Sequence, residues 1–418
     1  LKRGVLNGYG RPLIEADRPT FASFLKSHGY HTGIVGKWHL GLNFVRKTAA
    51  PENGKNGQKK KTKKRSGSPQ LDFTRPVTDG PNRRGFDYSY IIPASLDFPP
   101  YVYVHNQSIT DAHTLLQPAV KFPRFLRRGP RARDLVMADC LDHLKDRAIA
   151  YLESRATDTE TPFLLYFPLT APHKPVLPHP RFRGKSKLGP YGDFILQVDQ
   201  TVGAVLQSLA RTGLSKNTLV IYTSDNGSYM FRRDDPASKD HIEDPTVQAY
   251  RPDHHRSNHI FRGTKADIWE AGHRVPFFVR WPGHVRAGST NATSICLVDL
   301  FATFSEVIGQ PLPDNAAPDS YSFAPLLSGK AITRPRPPVI HHSASGMFAI
   351  RDGKWKLILG NGSGGRQAPR GRPFQKPFFL VDLQVDPTES RNLIEDHPDV
   401  AARLESACQQ LRRGPLPR

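Results

Sequence analysis

The stretch that decides the fold is "GYHTGIVGKWHLG", residues 29–41. An apolar run, Gly33-Ile34-Val35, stops abruptly, and a lysine, a tryptophan and a histidine follow between two glycines. Gly36-Lys37 suggests a phosphate-cradling loop. That loop needs Gly six positions before Lys and Ser or Thr after it, and here His31 and Trp38 hold those places. What remains is a short strand ending in a tight glycine turn. Lys37 and His39, two apart in extended chain, then project to the same side. A cation beside a titratable imidazole makes an anion site; a surface turn with a stray Lys and His is the plainer alternative.

Working outward, "TFASFLKSHGY" (20–30) has helical spacing and stops at Gly29, and "LVMADCLDHLKDRAIAYLES" (135–154) aligns Leu141, Leu144, Ala148, Tyr151 and Leu152 on one helical face. "GDFILQVDQTVGAVLQSLARTG" (192–213) repeats apolar residues at Ile195, Val198, Val202, Val205, Leu206 and Leu209. "TPFLLYFPLTAP" (161–172), "NTLVIYTSDNG" (217–227) and "RVPFFVRWPG" (274–283) read as short buried strands. Strands without inside/outside alternation, separated by amphipathic helices, predict an α/β fold: a mostly parallel central sheet with helices on both faces. Ligands of such folds sit beyond the carboxyl ends of the strands. The polar clusters follow strands in this way: Lys37 and His39, then His173, then Asp225 and Asn226.

After about residue 335 the pattern changes. "MFAIRDGKWKLIL" (347–359) reads as two strands around an Asp352-Gly353 hairpin, "FFLVDL" as another strand, and "HPDVAARLESACQQLRR" as a closing helix. The expected organisation is a catalytic domain over 1–335 and a small α+β subdomain with an antiparallel sheet over 336–418.

The 418 residues carry a formal net charge of +21, which suggests an acidic partner. Much of it is local: residues 46–65 hold nine Lys or Arg against a single Glu52. Without apolar periodicity, this tract reads as a basic disordered insertion at 46–70, either a solvated loop or an electrostatic tether. No aromatic residues interleave its lysines, which argues against nucleic acid. No apolar run reaches the ~18 residues of a membrane span. Cys140, Cys296 and Cys408 form neither a disulfide framework nor a zinc-type cluster.

Several residues are suited to chemistry. Asp225 and Asn226 at a strand end offer the oxygen ligands that Ca²⁺ takes, although Asp-Asn-Gly is also a common turn. His173, between prolines in "APHKP", sits on a rigid loop of the kind that positions a general acid. Gly263 and Lys265 precede a helix-like turn whose amides favour an anion. His254, His255 and His259 in "RPDHHRSNH" read as a substrate-facing loop more readily than as a metal site. The aromatic stretch "ASLDFPPYVYVHNQ" (94–107), with Asp97, is a candidate substrate wall.

No single motif is decisive, but their order is. "GYHTGIVGKWHLG", "RRGFDY" (83–88), "APHKP", "TSDNG", "RGTKADIWEAGHRVP" with "WPG", and "GKWKLI" together resemble the sulfatase family, of arylsulfatase type, whose core is alkaline-phosphatase-like. The resemblance implies a sulfuric ester hydrolase in which Asp225 and Asn226 ligate Ca²⁺. Lys37 and Lys265 would bind sulfate oxygens, His173 would serve the leaving-group oxygen, and His39 would support the nucleophile. Ca²⁺ and lysines suit the charge of a sulfate ester, and an imidazole titrating near ~6.5 suits the leaving group's need for a proton. The family's nucleophile is a formylglycine, produced by a maturation system from a C-x-P-S-R motif. No C-x-P-S-R occurs in the chain, nor do the paired N-terminal aspartates of the family's calcium site. The expectation is therefore a fragment whose nucleophile lies upstream of Leu1, inactive as it stands and belonging to an exported enzyme. Its partner would be a sulfated small molecule or polysaccharide. Two rival readings are a phosphodiesterase or phosphatase on the same scaffold and a polyanion binder without catalysis.

Overall fold

The computed structural model describes residues 6–47, 70–122, 124–231, 239–332 and 336–413. The basic tract, apart from Arg46 and Lys47, lies outside the described residues. Contacts divide the chain into two compact units, residues 2–213 and 214–418.

In the first unit, helix α1 (Phe21–Ser27) is closed at its start by Thr20, whose hydroxyl accepts from Ser23 N, and leads into strand β1 (His31–Lys37). β1 pairs in parallel with β2 (Tyr88–Ile92), which continues antiparallel through β3 (Val104–His105) and β4 (Ser108–Ile109). A small antiparallel pair, β5 (Thr114–Gln117) with β6 (Gly129–Ala132), precedes helix α2 (Cys140–Ala156). Strand β7 (Phe163–Tyr166) lies parallel to β1 on its other side, and helix α3 (Gly189–Arg211) closes the unit. The sheet is therefore mixed, in the order β4-β3-β2-β1-β7, with its parallel pairings centred on β1.

Alternation along β1 produces the layers. Ile34 packs in one core with Ala22 of α1, Trp38 and Phe86, while its neighbour Val35 packs in another with Cys140, Leu144 and Ala148 of α2. Helices thus cover both faces. "RRGFDY" serves this packing rather than chemistry. The Asp87 carboxylate accepts from Thr32 N and Oγ (both 3.0 Å) and pairs with Lys26 at 2.5 Å, tying α1 to the start of β1.

Two expectations for this unit change. β7 is only half-buried and ends on Tyr166, 43% exposed, so the apolar "FLLY" run is not a fully enclosed strand. The buried face of α3 keeps only part of the expected stripe: Val198 and Leu209 are buried. Ile195 is exposed, whereas Asp193, Gln197 and Thr201 are buried. Asp193 accepts from Gly184 N (2.8 Å) and Ser186 N (2.7 Å), and Gln197 Oε1 accepts from His179 N (2.9 Å). These bonds to the preceding loop turn a polar stripe inward, because buried backbone donors must find acceptors.

The second unit begins with β8 (Val220–Thr223), antiparallel to β9 (Phe277–Arg280). This too departs from the expected buried parallel strands: Phe278 is 64% exposed. Between them lies the one-turn helix α4 (Glu270–His273); α5 (Leu300–Val307) and α6 (Ala324–Leu327) follow. The antiparallel sheet is β10 (Val339–His342), β11 (Phe348–Asp352), β12 (Trp355–Leu359) and β13 (Phe379–Asp382), with α7 (Pro398–Arg413) against it. Asp352 pairs with Trp355 across the hairpin, and Gly353 takes the left-handed conformation that the turn requires (φ +56°).

The contacts thin between Gly213 and Leu214, whereas the expected domain boundary lay at 335. The reason is a shared core: Ile268 and Trp269 pack with Met347, Ala349 and Ile358. Beneath them Lys356 is fully buried, its Nζ ion-paired with Glu270 Oε1 (3.1 Å) and Glu389 Oε1 (2.8 Å). Burial opposes ionisation of Glu270, but Lys356 and Arg351 hold its pKa below the usual value.

Beside this cluster the ring centroids of His273 and His341 lie 4.3 Å apart, and each has a buried Nε2 without a hydrogen-bond partner among the described residues. Burial, then the Lys356 charge, pushes the His273 pKa down to about 4 and that of His341 well below normal. A folded pKa below the unfolded one means that protonation favours unfolding: the stability is present above ~6.5 and lost as pH falls toward the folded value. The melting temperature should therefore drop between pH 7 and pH 4.5, a window above the titration of the depressed carboxylates. The slope should be shallower in His341→Gln; identical slopes would contradict the account.

Candidate active site in two clusters

The first unit carries Lys37, His39 and His173. Lys37 is the last residue of β1, and its N–H donates to Pro168 O (2.8 Å) at the head of the loop that carries His173. Gly36 makes this approach possible: at φ +130°, a Cβ there would stand 2.1 Å from the Pro168 carbonyl oxygen. The strand thus runs through Gly36 to Lys37 rather than ending at the glycine. Trp38 turns inward, its Nε1–H donating to Gly41 O (2.8 Å). His39 has φ +54°, so the same-side alternation expected of an extended Lys37-Trp38-His39 segment does not apply. Its Nε2 bonds Leu6 O (2.8 Å), and its ring centroid lies 5.7 Å from that of Phe98.

His173 is partly exposed, and its Nδ1 bonds Lys174 O at 2.7 Å. A carbonyl only accepts, so that nitrogen carries the proton. The same Nδ1 lies 3.9 Å from Oδ1 of Asp97, which is buried. Asp97 came into view in the sequence only as part of an aromatic stretch; its salt bridge to Arg127 (2.6 Å) had no signal there, because the two lie thirty positions apart.

The second unit carries Asp225, Asn226 and Lys265. The turn after β8 presses against the loop 263–272: Gly227 N donates to Gly272 O (3.2 Å), and a Cβ on Gly227 would come 1.6 Å from Ala271 O. Ser228 O accepts from Lys265 N (3.2 Å) and from Thr264 Oγ (2.6 Å), and Asn258 clamps Ser228 from both sides (N–H and C=O, 2.8 Å each). The Lys265 loop is braced by buried Asp267, which accepts from Thr264 N (2.9 Å) and Arg366 N (2.5 Å). Burial raises the pKa of Asp267. Asp225, Asn226 and Lys265 are thereby brought together. The helix expected to follow Lys265 begins at Glu270 and is one turn long, so helix amides do not account for an anion there.

Asp225 is exposed and its carboxylate has no hydrogen bond or ion pair among the described residues. Asn226 Nδ2 donates to Gly227 O (3.0 Å), which leaves Oδ1 as its ligand atom. An oxygen-only pair suits a hard cation in kind. It supplies two of the six to eight oxygens Ca²⁺ takes, and no group of three or more His, Cys, Asp or Glu among the described residues is arranged to hold a metal. The histidines of 251–259 are engaged locally: His254 pairs with Asp240 (3.1 Å) and His255 packs on Tyr250 (5.2 Å). None of the cysteines is a plausible nucleophile by environment where they are buried; Cys140 has its thiol pKa pushed up to about 12 by burial.

Residues 4–310 match the sulfatase family model, and the chain belongs to the sulfatase family. An N-acetylgalactosamine-6-O-sulfatase of Bacteroides thetaiotaomicron is 31% identical, over 98% of this chain and 80% of that protein. Arylsulfatase A of Bos taurus is 28% identical, over 98% and 73%. A solved structure from work on glycosaminoglycan metabolism by Bacteroides thetaiotaomicron superposes with a TM-score of 0.79 at 29% identity, covering 98% of this chain and 85% of that one. A sulfatase from Pseudoalteromonas sp., at 20% identity and TM-score 0.65, shares the fold. The fold is thus the alkaline-phosphatase-like one expected, a mixed central sheet with helices and a C-terminal antiparallel sheet. No helix among the described residues is long and apolar enough to cross a membrane.

If Asp225 is a calcium ligand, Ca²⁺ should raise the melting temperature and Asp225→Ala should abolish the increase. An undiminished increase in the variant removes the assignment.

Proposed function

We propose that this chain carries the sulfate-binding and leaving-group residues of a sulfatase acting on a sulfated sugar, with Lys37 and Lys265 contacting sulfate oxygens. The observation that carries the reading is His173: its Nδ1 is committed to Lys174 O (2.7 Å) on a proline-bounded loop, so Nε2 is the nitrogen that exchanges a proton. That nitrogen protonates the leaving-group oxygen. Lys37 and Lys265 spread the negative charge that the sulfate oxygens carry through the reaction. His39, held by Leu6 O (2.8 Å), supports the nucleophile.

Asp225 Oδ and Asn226 Oδ1 are the atoms that would hold Ca²⁺, which when bound neutralises sulfate oxygens as a Lewis acid. The nucleophile of this reading is a formylglycine, and no C-x-P-S-R from which to make one occurs among the 418 residues. A sugar is favoured over an aryl sulfate by the N-acetylgalactosamine-6-O-sulfatase likeness. The enzyme of this reading is exported and depends on a formylglycine-generating system. A phosphatase on the same scaffold would rest on two transition metals held by further Asp and His, which the lone Asp225-Asn226 pair does not favour.

Purified residues 1–418 should release no sulfate from an aryl sulfate, yet bind N-acetylgalactosamine 6-sulfate measurably by calorimetry. Lys37→Ala should weaken that binding by roughly tenfold, the order of a charge-assisted hydrogen bond. Equal affinity for sulfated and unsulfated N-acetylgalactosamine would overturn the reading.

A further inference from the structure

The loop "GNGSGGRQAPRGRP" (360–373), which joins β12 to β13, is tightly built. It closes on itself: Ser363 N donates to Pro369 O (2.9 Å), Gly364 N to Arg370 O (2.7 Å) and Ser363 Oγ to Gln367 O (2.6 Å). It is tied as firmly to the segment that carries Lys265. Ser363 O accepts from Ile268 N (2.8 Å), and Oδ1 of buried Asp267 accepts from Arg366 N (2.5 Å) and Gln367 N (3.2 Å). A Cβ on Gly365 would stand 2.4 Å from both Ala266 O and Asp267 Oδ1, so only glycine permits this approach.

Ala266, the neighbour of Lys265, holds φ +82°, a conformation that favours glycine. Such backbone strain persists only where the surroundings over-determine it. Here they do: Ala344 N donates to Ala266 O (3.0 Å), and the backbone at Gly365 packs against that same carbonyl. The loop therefore fixes the main chain from which Lys265 projects.

At this contact the loop turns Arg366 outward. Its side chain is exposed and makes no hydrogen bond or ion pair among the described residues. The guanidinium carbon lies 5.7 Å from the ring centroid of Tyr229, the residue after Ser228, whose carbonyl accepts from Lys265 N. The charge is also felt at Asp267, whose pKa burial raises and Arg366 opposes. Arg366 thus stands by the junction that joins the Asp225-Asn226 turn to the Lys265 loop. Two cations rooted at one rigid junction repel each other, and an anion held between them relieves the repulsion. The planar guanidinium fork suits the oxygens of such an anion.

We propose that Arg366 is a further sulfate-binding residue, its guanidinium joining Lys265 on the oxygens of the bound sulfate ester. The inference rests on the reading that Lys265 contacts sulfate. It makes the loop between β12 and β13 part of the active site, both as the brace of Lys265 and as the source of a second cation.

Calorimetry with two probes, inorganic sulfate and N-acetylgalactosamine 6-sulfate, tests this. Arg366→Gln should weaken both by roughly tenfold, the scale of a hydrogen bond to a charged group. Arg366→Lys keeps the charge without the fork and should recover only part of the loss. Both variants should melt as the parent does, since the side chain has no hydrogen-bond or ion-pair partner among the described residues. Parental affinity for both probes in Arg366→Gln overturns the assignment. So does a loss confined to the sugar sulfate, which would place Arg366 on the sugar instead. Lys265→Ala keeps the two failures apart, because it should weaken both probes as well. Unchanged binding in Lys265→Ala would contradict the sulfate reading itself, whereas a loss there with none in Arg366→Gln removes Arg366 alone.

Discussion

Both clusters of candidate residues depend on main chain touching main chain where only glycine fits. At Gly36 a side chain would meet the Pro168 carbonyl at 2.1 Å, and at Gly227 it would meet that of Ala271 at 1.6 Å, closer than any real Cβ contact. The first contact delivers the end of β1, with Lys37, to the loop of His173. The second fixes Asp225 and Asn226 against the loop of Lys265. In each case a charged side chain is placed by a rigid backbone junction rather than by its own flexible stem, which is how a site holds geometry without spending side-chain order.

Around these junctions the fold supplies buried polar braces. Asp267 gathers the amides of Thr264, Arg366 and Gln367, and Asp97 gathers Ser95 and Arg127. Lys356, enclosed between Glu270 and Glu389, couples the same 263–272 loop to the C-terminal sheet. Removing one member of such a buried set leaves an uncompensated charge, typically costing about 3–5 kcal/mol. The antiparallel sheet is therefore part of what supports the 263–272 loop.

Much of this was legible in the sequence because it is local. The apolar spacing of α2 names its buried face, Asp352-Gly353 marks the hairpin, and the order of "GKWHLG", "APHKP" and "TSDNG" points to the family. The misreadings have tertiary causes. The inward face of α3 combines Val198 and Leu209 with Asp193 and Gln197, which accept from loop amides, and leaves Ile195 of the apolar stripe exposed. His39 leaves the extended conformation at φ +54°, which no alternation rule anticipates. The strands β8 and β9 carry apolar runs yet remain half-exposed and antiparallel, since a four-residue run does not encode its partner. Arg127 has no motif at all; only the fold sets it beside Asp97.

The central claim is that the glycine junction at the end of β1 builds the sulfate-binding arrangement. Its most direct test is calorimetric binding of N-acetylgalactosamine 6-sulfate to Gly36→Ala, with Gly29→Ala as the comparison. Gly29 also has a positive φ (+84°), but nothing stands within 4 Å of a Cβ there. The account predicts that Gly36→Ala loses roughly tenfold or more in affinity, on the scale of one misplaced charge-assisted contact, while Gly29→Ala binds as the parent does. Parental affinity in Gly36→Ala, or an equal loss in both variants, would contradict it.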